Sequence, residues 1–206
     1  MRTLVIDCAT EACSVALFNG TTLLAGDCRQ LGRGHAEALV PMIAALPGGG
    51  QADRIAVALG PGSFTGVRLG LAAARALAFA WNAHLVGYPT LALIAAMARA
   101  EAGAQGVAVA TTGGHGEWFV QQFDAAGRAV APLESLTPEA AAQTVSVDLV
   151  AGSQAEAVIA ARGHGQALAL WPDARAFAAL PGEALTEAVN PLYGRAPDAR
   201  LPSGAA

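Results

Sequence analysis

The chain has 206 residues, of which 54% are hydrophobic and only 14% are charged, and its formal net charge is −4. This length allows one large domain or two small ones with a sizeable core. The negative charge argues against strong nucleic-acid binding by this chain alone. No unbroken apolar run reaches the roughly 18 residues of a membrane span, so we expect no membrane association.

Three cysteines, Cys8, Cys13 and Cys28, are odd in number and lack CxxC spacing. This pattern favours reduced thiols over a disulfide framework or a zinc site. Asp7 places a carboxylate too early for the apolar core of a signal peptide. We therefore expect a cytoplasmic protein.

In chain order, the first half predicts three strands and then alternating helices and strands. A turn at Asn19-Gly20 joins the second and third strands. The predicted elements are strands at 3–6, 13–18 and 22–28, a helix at 35–46, a strand at 55–59, a helix at 66–81, a strand at 84–87 and a helix at 90–100.

The second half repeats this pattern weakly. Its predicted elements are strands at 107–111, 118–123, 129–132 and 147–150, a helix at 153–161 and a strand at 167–170. Such a repeat predicts two similar α/β lobes, residues 1–103 and a smaller one at 104–206, with a cleft between them. We expect the tail of the second lobe to pack back on the first lobe.

A glycine-rich run, Gly60-Pro61-Gly62-Ser63-Phe64-Thr65-Gly66-Val67-Arg68, lies between a predicted strand and a predicted helix. Free N–H groups and the helix dipole at such a junction predict an anion cradle. A Walker A loop needs a lysine, and all 12 cationic residues of this chain are arginines. The glycine spacing is one residue too long for the dinucleotide fingerprint.

The first predicted hairpin carries a carboxylate and a hydroxyl, Asp7 and Thr10. They could line a phosphate or its metal, or Asp7 could simply stabilise a turn. The predicted phosphate cradle, or its remnant, consists of Asp7, Thr10, Gly60, Gly62, Ser63, Thr65 and Gly66.

These features resemble the actin/Hsp70/sugar-kinase superfamily. The resemblance implies a two-lobed actin-like ATPase (ribonuclease H-like) fold, with mixed sheets flanked by helices. More narrowly, Ile6–Leu17, Gly34–Pro41, Gly60–Gly70 and the ending Pro191–Ala199 resemble the TsaB (YeaZ) family.

That family resemblance implies a non-catalytic partner of a TsaD-type subunit, acting with a TsaE-type ATPase. Together with a TsaC-type enzyme they make threonylcarbamoyladenosine beside the anticodon of tRNA, which is contacted only through the complex. TsaD carries two histidines four residues apart that hold a metal, and the corresponding residues here are Thr90 and Ile94. The resemblance thus implies no catalytic residue, metal or cofactor.

The alternative function is a small-molecule kinase or ATPase of the same superfamily. Active members open the second lobe with a carboxylate, whereas this chain has Thr112-Gly113-Gly114, which also departs from the residues usual in TsaB relatives. The missing carboxylate disfavours phosphoryl transfer. Leu149–Ser153 resembles an adenosine-side element, although a routine strand-to-helix turn fits equally. Tyr193 and Arg195 either contact a partner or pin the tail, possibilities that the sequence leaves open.

A partner surface is predicted on the helix at 66–81, which has only two charges, Arg68 and Arg75. A helix that is apolar nearly all round is covered on both sides, either by the helix at 35–46 alone or also by another chain. The resemblance implies that both helices pair with TsaD, or with a second copy when the chain is alone. The predicted interface is His35, Leu39, Met42, Arg68, Leu69, Gly70, Ala73, Ala76 and Leu77.

Overall fold

The first five strands form a mixed sheet in the computed structural model, which describes residues 1–194. Its strands are β1 (Arg2–Asp7), β2 (Ala12–Asn19), β3 (Thr22–Gln30), β4 (Arg54–Ala58) and β5 (His84–Tyr88). The order is β3-β2-β1-β4-β5, with β1 antiparallel to β2 and parallel to β4. All but one residue of β2 are buried, as its nearly continuous apolar sequence requires.

The second sheet repeats the topology of the first. Its strands are β6 (Val107–Thr112), β7 (Trp118–Phe123), β8 (Glu134–Leu136), β9 (Leu149–Ala151) and β10 (Gln166–Leu168). Their order is β8-β7-β6-β9-β10, again with three antiparallel strands followed by two parallel ones. The predicted mixed α/β fold with an internal repeat is confirmed.

Five α-helices flank these sheets: α1 (His35–Ala44), α2 (Phe64–Trp81), α3 (Thr90–Ala102), α4 (Pro138–Thr144) and α5 (Ala155–Arg162). Short 3-10 turns lie at Pro47–Gly50, Ala174–Ala179 and Gly182–Ala184. α2 packs on β4, and α3 is buried along most of its length. Leu93 of α3 belongs to the core of the first sheet, while Ile94 and Ala98 belong to the core of the second. This helix therefore ties the two cores together. Within residues 1–194, no helix is both long and apolar enough to cross a membrane.

The second half differs from the prediction in two places: one predicted strand is absent, and one helix is present that the sequence analysis did not predict. Residues 129–132 do not form a strand, since only Ala129 makes a single bridge, to Phe123, and Pro132 has no N–H for a ladder. Helix α4 was missed, although Thr137-Pro138 is a typical helix start. The Thr137 hydroxyl accepts a hydrogen bond from the Ala140 N–H at 3.3 Å.

After the second sheet the chain returns to the first one. The Ser14 hydroxyl donates to the Pro172 carbonyl at 3.2 Å, and Phe177 packs against Phe18 and Tyr88, with ring centroids 6.0 and 5.7 Å apart. The Leu192 N–H donates to the Leu59 carbonyl at 2.8 Å. Residues 172–194, which we call the returning segment, therefore pack on the first sheet through Phe177 and Leu192, while Ala184 contacts the core of the second sheet and Gly194 lies against Phe119. The lobe boundary at 103/104 stays a prediction, and the predicted ending at 195–199, with Arg195, lies outside the described residues.

Candidate functional site

The candidate site is a cavity of about 1100 Å³ between the two lobes. Residues 62–69 of the glycine loop and α2, residues 9–11 of the β1–β2 turn and residues 32–37 at the start of α1 line one side of it. The second lobe contributes Thr112-Gly113-Gly114 and Phe119, and the returning segment contributes Leu192, Tyr193 and Gly194. The structure thus brings the glycine loop and the first hairpin together with the second-lobe turn and the described end of the chain.

The glycines of the loop are fitted to the chain's own β1–β2 turn. A Cβ on Gly62 would overlap the Ala9 carbonyl oxygen, and a Cβ on Gly66 would overlap the Cys8 carbonyl oxygen. The Ser63 N–H, one of the groups expected to face an anion, donates to the Ala9 carbonyl at 2.7 Å. Close packing within the chain therefore explains these glycines without a bound phosphate.

The hydroxyl groups of the predicted cradle serve local structure. The Ser63 hydroxyl caps α2 by accepting from the Gly66 N–H at 3.3 Å. The Thr10 hydroxyl accepts from the Ala12 N–H at 3.3 Å. Ser63 and Thr65 are exposed beside Thr10 in the cavity wall, so the structure brings these three residues together. Gly60 has a positive φ of 94°, and a Cβ at this position would lie 3.0 Å from the Leu192 carbonyl oxygen. Gly60 therefore allows the described end of the chain to pack closely on the loop.

Asp7 is fully buried and does not line the cavity. Its carboxylate accepts hydrogen bonds from the Ala9 N–H at 2.9 Å and from the Tyr88 hydroxyl at 3.3 Å. Burial raises the pKa of Asp7 from 3.8 to about 7, and these two hydrogen bonds oppose the increase. Of the two interpretations of Asp7, the structure supports the turn-stabilising one.

The polar groups of the facing turn in the second lobe also form hydrogen bonds within the chain. The Thr112 N–H donates to the Ser153 hydroxyl at 3.1 Å, and the Gln154 amide donates to the Thr112 hydroxyl at 3.0 Å. The Gly113 N–H donates to the Glu117 carbonyl at 2.8 Å. Residues 112 and 153, from two sequence motifs, are thus neighbours in a small hydroxyl cluster.

An aromatic and arginine cluster lies at the cavity wall. The Arg68 guanidinium stacks 3.1 Å from the Phe64 ring centroid and donates to the Tyr193 hydroxyl at 2.7 Å. Arg75, the other charge of α2, donates to the Val189 carbonyl at 2.7 Å. Both arginines therefore bind residues 186–194 of the returning segment, and through Arg68 the Tyr193 hydroxyl pins the described end of the chain to α2.

Several residues of the predicted interface lie on the inner sides of α1 and α2, where they pack against the rest of the chain. Leu39, Met42 and Gly70 are buried in the chain's own core, which corrects the expectation that they face a partner. The His35 ring N–H, at Nε2, donates to the Thr10 carbonyl at 2.9 Å and fixes the start of α1.

The accessible part of the predicted surface lies on the outer side of α2. We call the exposed residues Arg68, Ala72, Arg75, Ala76 and Phe79 the α2 face. Leu69, Ala73 and Leu77 are half-buried along its border. Sequence reasoning missed Phe79, which is 91% exposed, and Val40 on α1, which is 65% exposed. Helical spacing could have located Phe79, because it lies seven residues after Ala72 and three after Ala76 and therefore on the same side of the helix.

The positions compared with the TsaD metal histidines, Thr90 and Ile94, are both completely buried. Over residues 1–194, the structure contains no group of three or more His, Cys, Asp or Glu side chains placed to hold a metal ion.

Comparisons with known proteins identify the family. The family model of TsaD, tRNA N6-adenosine threonylcarbamoyltransferase, matches residues 29–169. The tRNA threonylcarbamoyladenosine biosynthesis protein TsaB of Escherichia coli (strain K12) is 40% identical over 134 residues, which are 62% of this chain and 58% of that protein. The protein of the same name from Haemophilus influenzae is 38% identical over 98 residues, 45% of this chain and 41% of that protein. The matches thus span about half the length of these curated relatives.

A solved structure matches over a larger share of the chain. YeaZ from Pseudomonas aeruginosa is 30% identical, with a TM-score of 0.78, over 93% of this chain and 99% of that one. The repeated sheets, the glycine loop seated on the first hairpin and these matches agree. The chain belongs to the TsaB (YeaZ) family of the actin-like ATPase superfamily.

Proposed function

We propose that this chain is a non-catalytic subunit that pairs with a TsaD-type catalytic subunit in threonylcarbamoyl transfer to adenosine of tRNA. The observation that carries the proposal is the closed glycine loop, in which Gly62 and Gly66 pack directly on the carbonyls of Ala9 and Cys8. The names of the relatives support the pathway.

Phosphoryl transfer needs charged groups directed at the phosphates and their metal. Here Asp7, the carboxylate of the predicted cradle, is buried beneath the loop and bonded to Tyr88. Glu11 and Glu37 line the cavity on the side of the first lobe, and the described residues of the second lobe add no carboxylate to its wall. The facing turn offers the Thr112 hydroxyl, which bonds to Ser153 and Gln154. Since electrostatic stabilisation is the main protein contribution to this chemistry, we favour a docking subunit over a small-molecule kinase or ATPase.

The docking surface in this proposal is the α2 face together with the exposed side of α1. A phenyl ring exposed as fully as that of Phe79, next to the alanines Ala72 and Ala76, forms an apolar strip that a helix of another chain can cover. The TsaD-type subunit covers it in the complex, and a second copy covers it when the chain is alone. The TsaE-type ATPase joins this pair in the cytoplasm, and tRNA meets the chain through the complex.

The experiment is reconstitution of tRNA threonylcarbamoylation from TsaD-type, TsaE-type and TsaC-type proteins, with and without this chain. We expect modified adenosine only, or much faster, when the chain is present. The isolated chain should show no steady ATP hydrolysis. Equal modification without the chain, or hydrolysis by the chain alone that mutation of Ser63 abolishes, would contradict the proposal.

A further inference from the structure

Two cysteines face each other across the β1–β2 turn, directly beside the glycine loop. The sulfur atoms of Cys8 and Cys13 are 3.6 Å apart, and both side chains are buried, with exposures of 1% and 0%. Asp7 pairs with Ser14 in the strand register, so Cys8 and Cys13 are the next opposed positions. Opposed positions of this kind lie within the Cα separation that a disulfide tolerates.

The third cysteine lies on the other face of the sheet. Cys28 pairs with Ser14 across β2 and β3, and Ser14 points towards the returning segment, where it bonds to Pro172. Neighbouring residues of a strand point to opposite faces, so Cys13 points away from Cys28. The chain therefore holds one matched thiol pair and one separate thiol that serves as a control.

We propose that Cys8 and Cys13 form a reversible intramolecular disulfide when the chain meets hydrogen peroxide, and that this disulfide alters the start of α2. Three of the four residues between them, Ala9, Thr10 and Glu11, line the 1100 Å³ cavity. The cavity thus brings a small oxidant next to the turn that holds the pair.

The chemistry balances in two steps. The Cys13 thiol first releases its proton, and the resulting thiolate attacks one peroxide oxygen. The O–O bond breaks, Cys13 becomes a sulfenic acid, and the departing hydroxide takes up the proton that Cys13 released, forming water. The Cys8 sulfur then attacks the Cys13 sulfur, the S–O bond breaks, and the Cys8 proton leaves with the hydroxide as a second water. Cys13 suits the first step because the Cys8 thiol, 3.6 Å away, can donate to its sulfur, and this contact lowers the pKa of Cys13.

The effect on α2 follows from contacts of the same turn. A disulfide needs sulfurs about 2.05 Å apart, whereas the two thiols are 3.6 Å apart, so the Cys8 and Cys13 side chains must rotate and the turn that holds them must adjust. The Cys8 and Ala9 carbonyl oxygens pack so closely on Gly66 and Gly62 that no Cβ would fit at either glycine. The turn therefore cannot move without displacing the loop. Movement of the turn is therefore passed to Ser63, the residue that caps α2.

The test treats the full chain with hydrogen peroxide, blocks free thiols with N-ethylmaleimide and digests with a protease that cleaves after glutamate. Cleavage at Glu11 separates Cys8 from Cys13. We expect a disulfide-linked pair of fragments in the wild type and in Cys28→Ser, its loss in Cys8→Ser, and its reversal by dithiothreitol. A linked pair that disappears in Cys28→Ser would overturn the assignment. So would no linked pair under conditions that oxidise free glutathione.

Amide hydrogen exchange of the same oxidised and reduced samples tests the second half of the proposal. Exchange within residues 60–70 should change on oxidation and return on reduction, while exchange in β7 of the second lobe stays the same. Unchanged exchange at residues 60–70 in a sample that contains the disulfide would overturn the link to α2.

Discussion

Asp7 is a carboxyl group that the fold removes completely from water. Its pKa of about 7 lies above the value of 3.8 expected for the unfolded chain. Below about pH 4 both states are protonated, and above about pH 7 both are ionised. Between these limits the folded state keeps a proton that the unfolded state loses, so the Asp7 contribution to stability falls as the pH rises.

Asp7→Asn should remove this pH dependence. The asparagine carbonyl can still accept from the Ala9 N–H, and its amide can donate to the Tyr88 oxygen. We expect the stability of the variant relative to wild type to increase from pH 4 to pH 7, by on the order of a few kcal/mol. Urea unfolding at several pH values measures it. A difference between the two proteins that is constant over this range would show that Asp7 does not titrate as described.

Two glycines of the same segment should respond in opposite ways to alanine. Gly66→Ala pushes a methyl group into the Cys8 carbonyl and should destabilise the fold by about 2 kcal/mol or more. Gly70→Ala places its methyl 3.7 Å from Cys8 and Val57, an ordinary contact, and should stabilise α2 by about 0.5–1 kcal/mol. Thermal unfolding of both variants checks the contrast. Equal tolerance of the two would mean that the loop is not fitted tightly to the turn.

Among the helices, α2 begins within the glycine loop, and its outer side is the docking surface that we propose. Ala76→Glu adds a charge to the centre of the α2 face without filling the core, since Ala76 is exposed. Burying that unpaired charge against a partner should weaken binding to the TsaD-type subunit by at least about tenfold. Calorimetry measures the affinity, with Val130→Glu, an exposed site of the second lobe, as the matched control. Equal affinities for the two variants would remove the α2 face from the interface.

Sequence patterns predicted the elements well where burial is regular, as in β1, β2 and α2. They failed at residues 129–132, where an apolar run makes only one bridge, and at α4, whose capping Thr137 was overlooked. The glycine loop was located correctly, but its contact was not. Gly62 and Gly66 touch Ala9 and Cys8 more than 50 residues away, and local spacing cannot distinguish a carbonyl of the same chain from a phosphate.

At the scale of the whole molecule, the exposed α2 face predicts self-association of the isolated chain. Val40 and Phe79 are exposed on neighbouring helices, and a second copy can cover both. Sedimentation of the purified chain should show a homodimer, and Ala76→Glu should shift it towards monomer. Only monomer at high concentration would count against this arrangement.

The central claim is that the chain contributes a docking surface and no reacting group. The most direct measurement is the rate of threonylcarbamoyladenosine formation in the reconstituted system with wild type, Asp7→Asn or Ala76→Glu. We predict a rate within about twofold of wild type for Asp7→Asn, whose side chain is buried, and the rate of the system lacking the chain for Ala76→Glu. A folded Asp7→Asn chain that abolishes the reaction, with Ala76→Glu fully active, would contradict the claim.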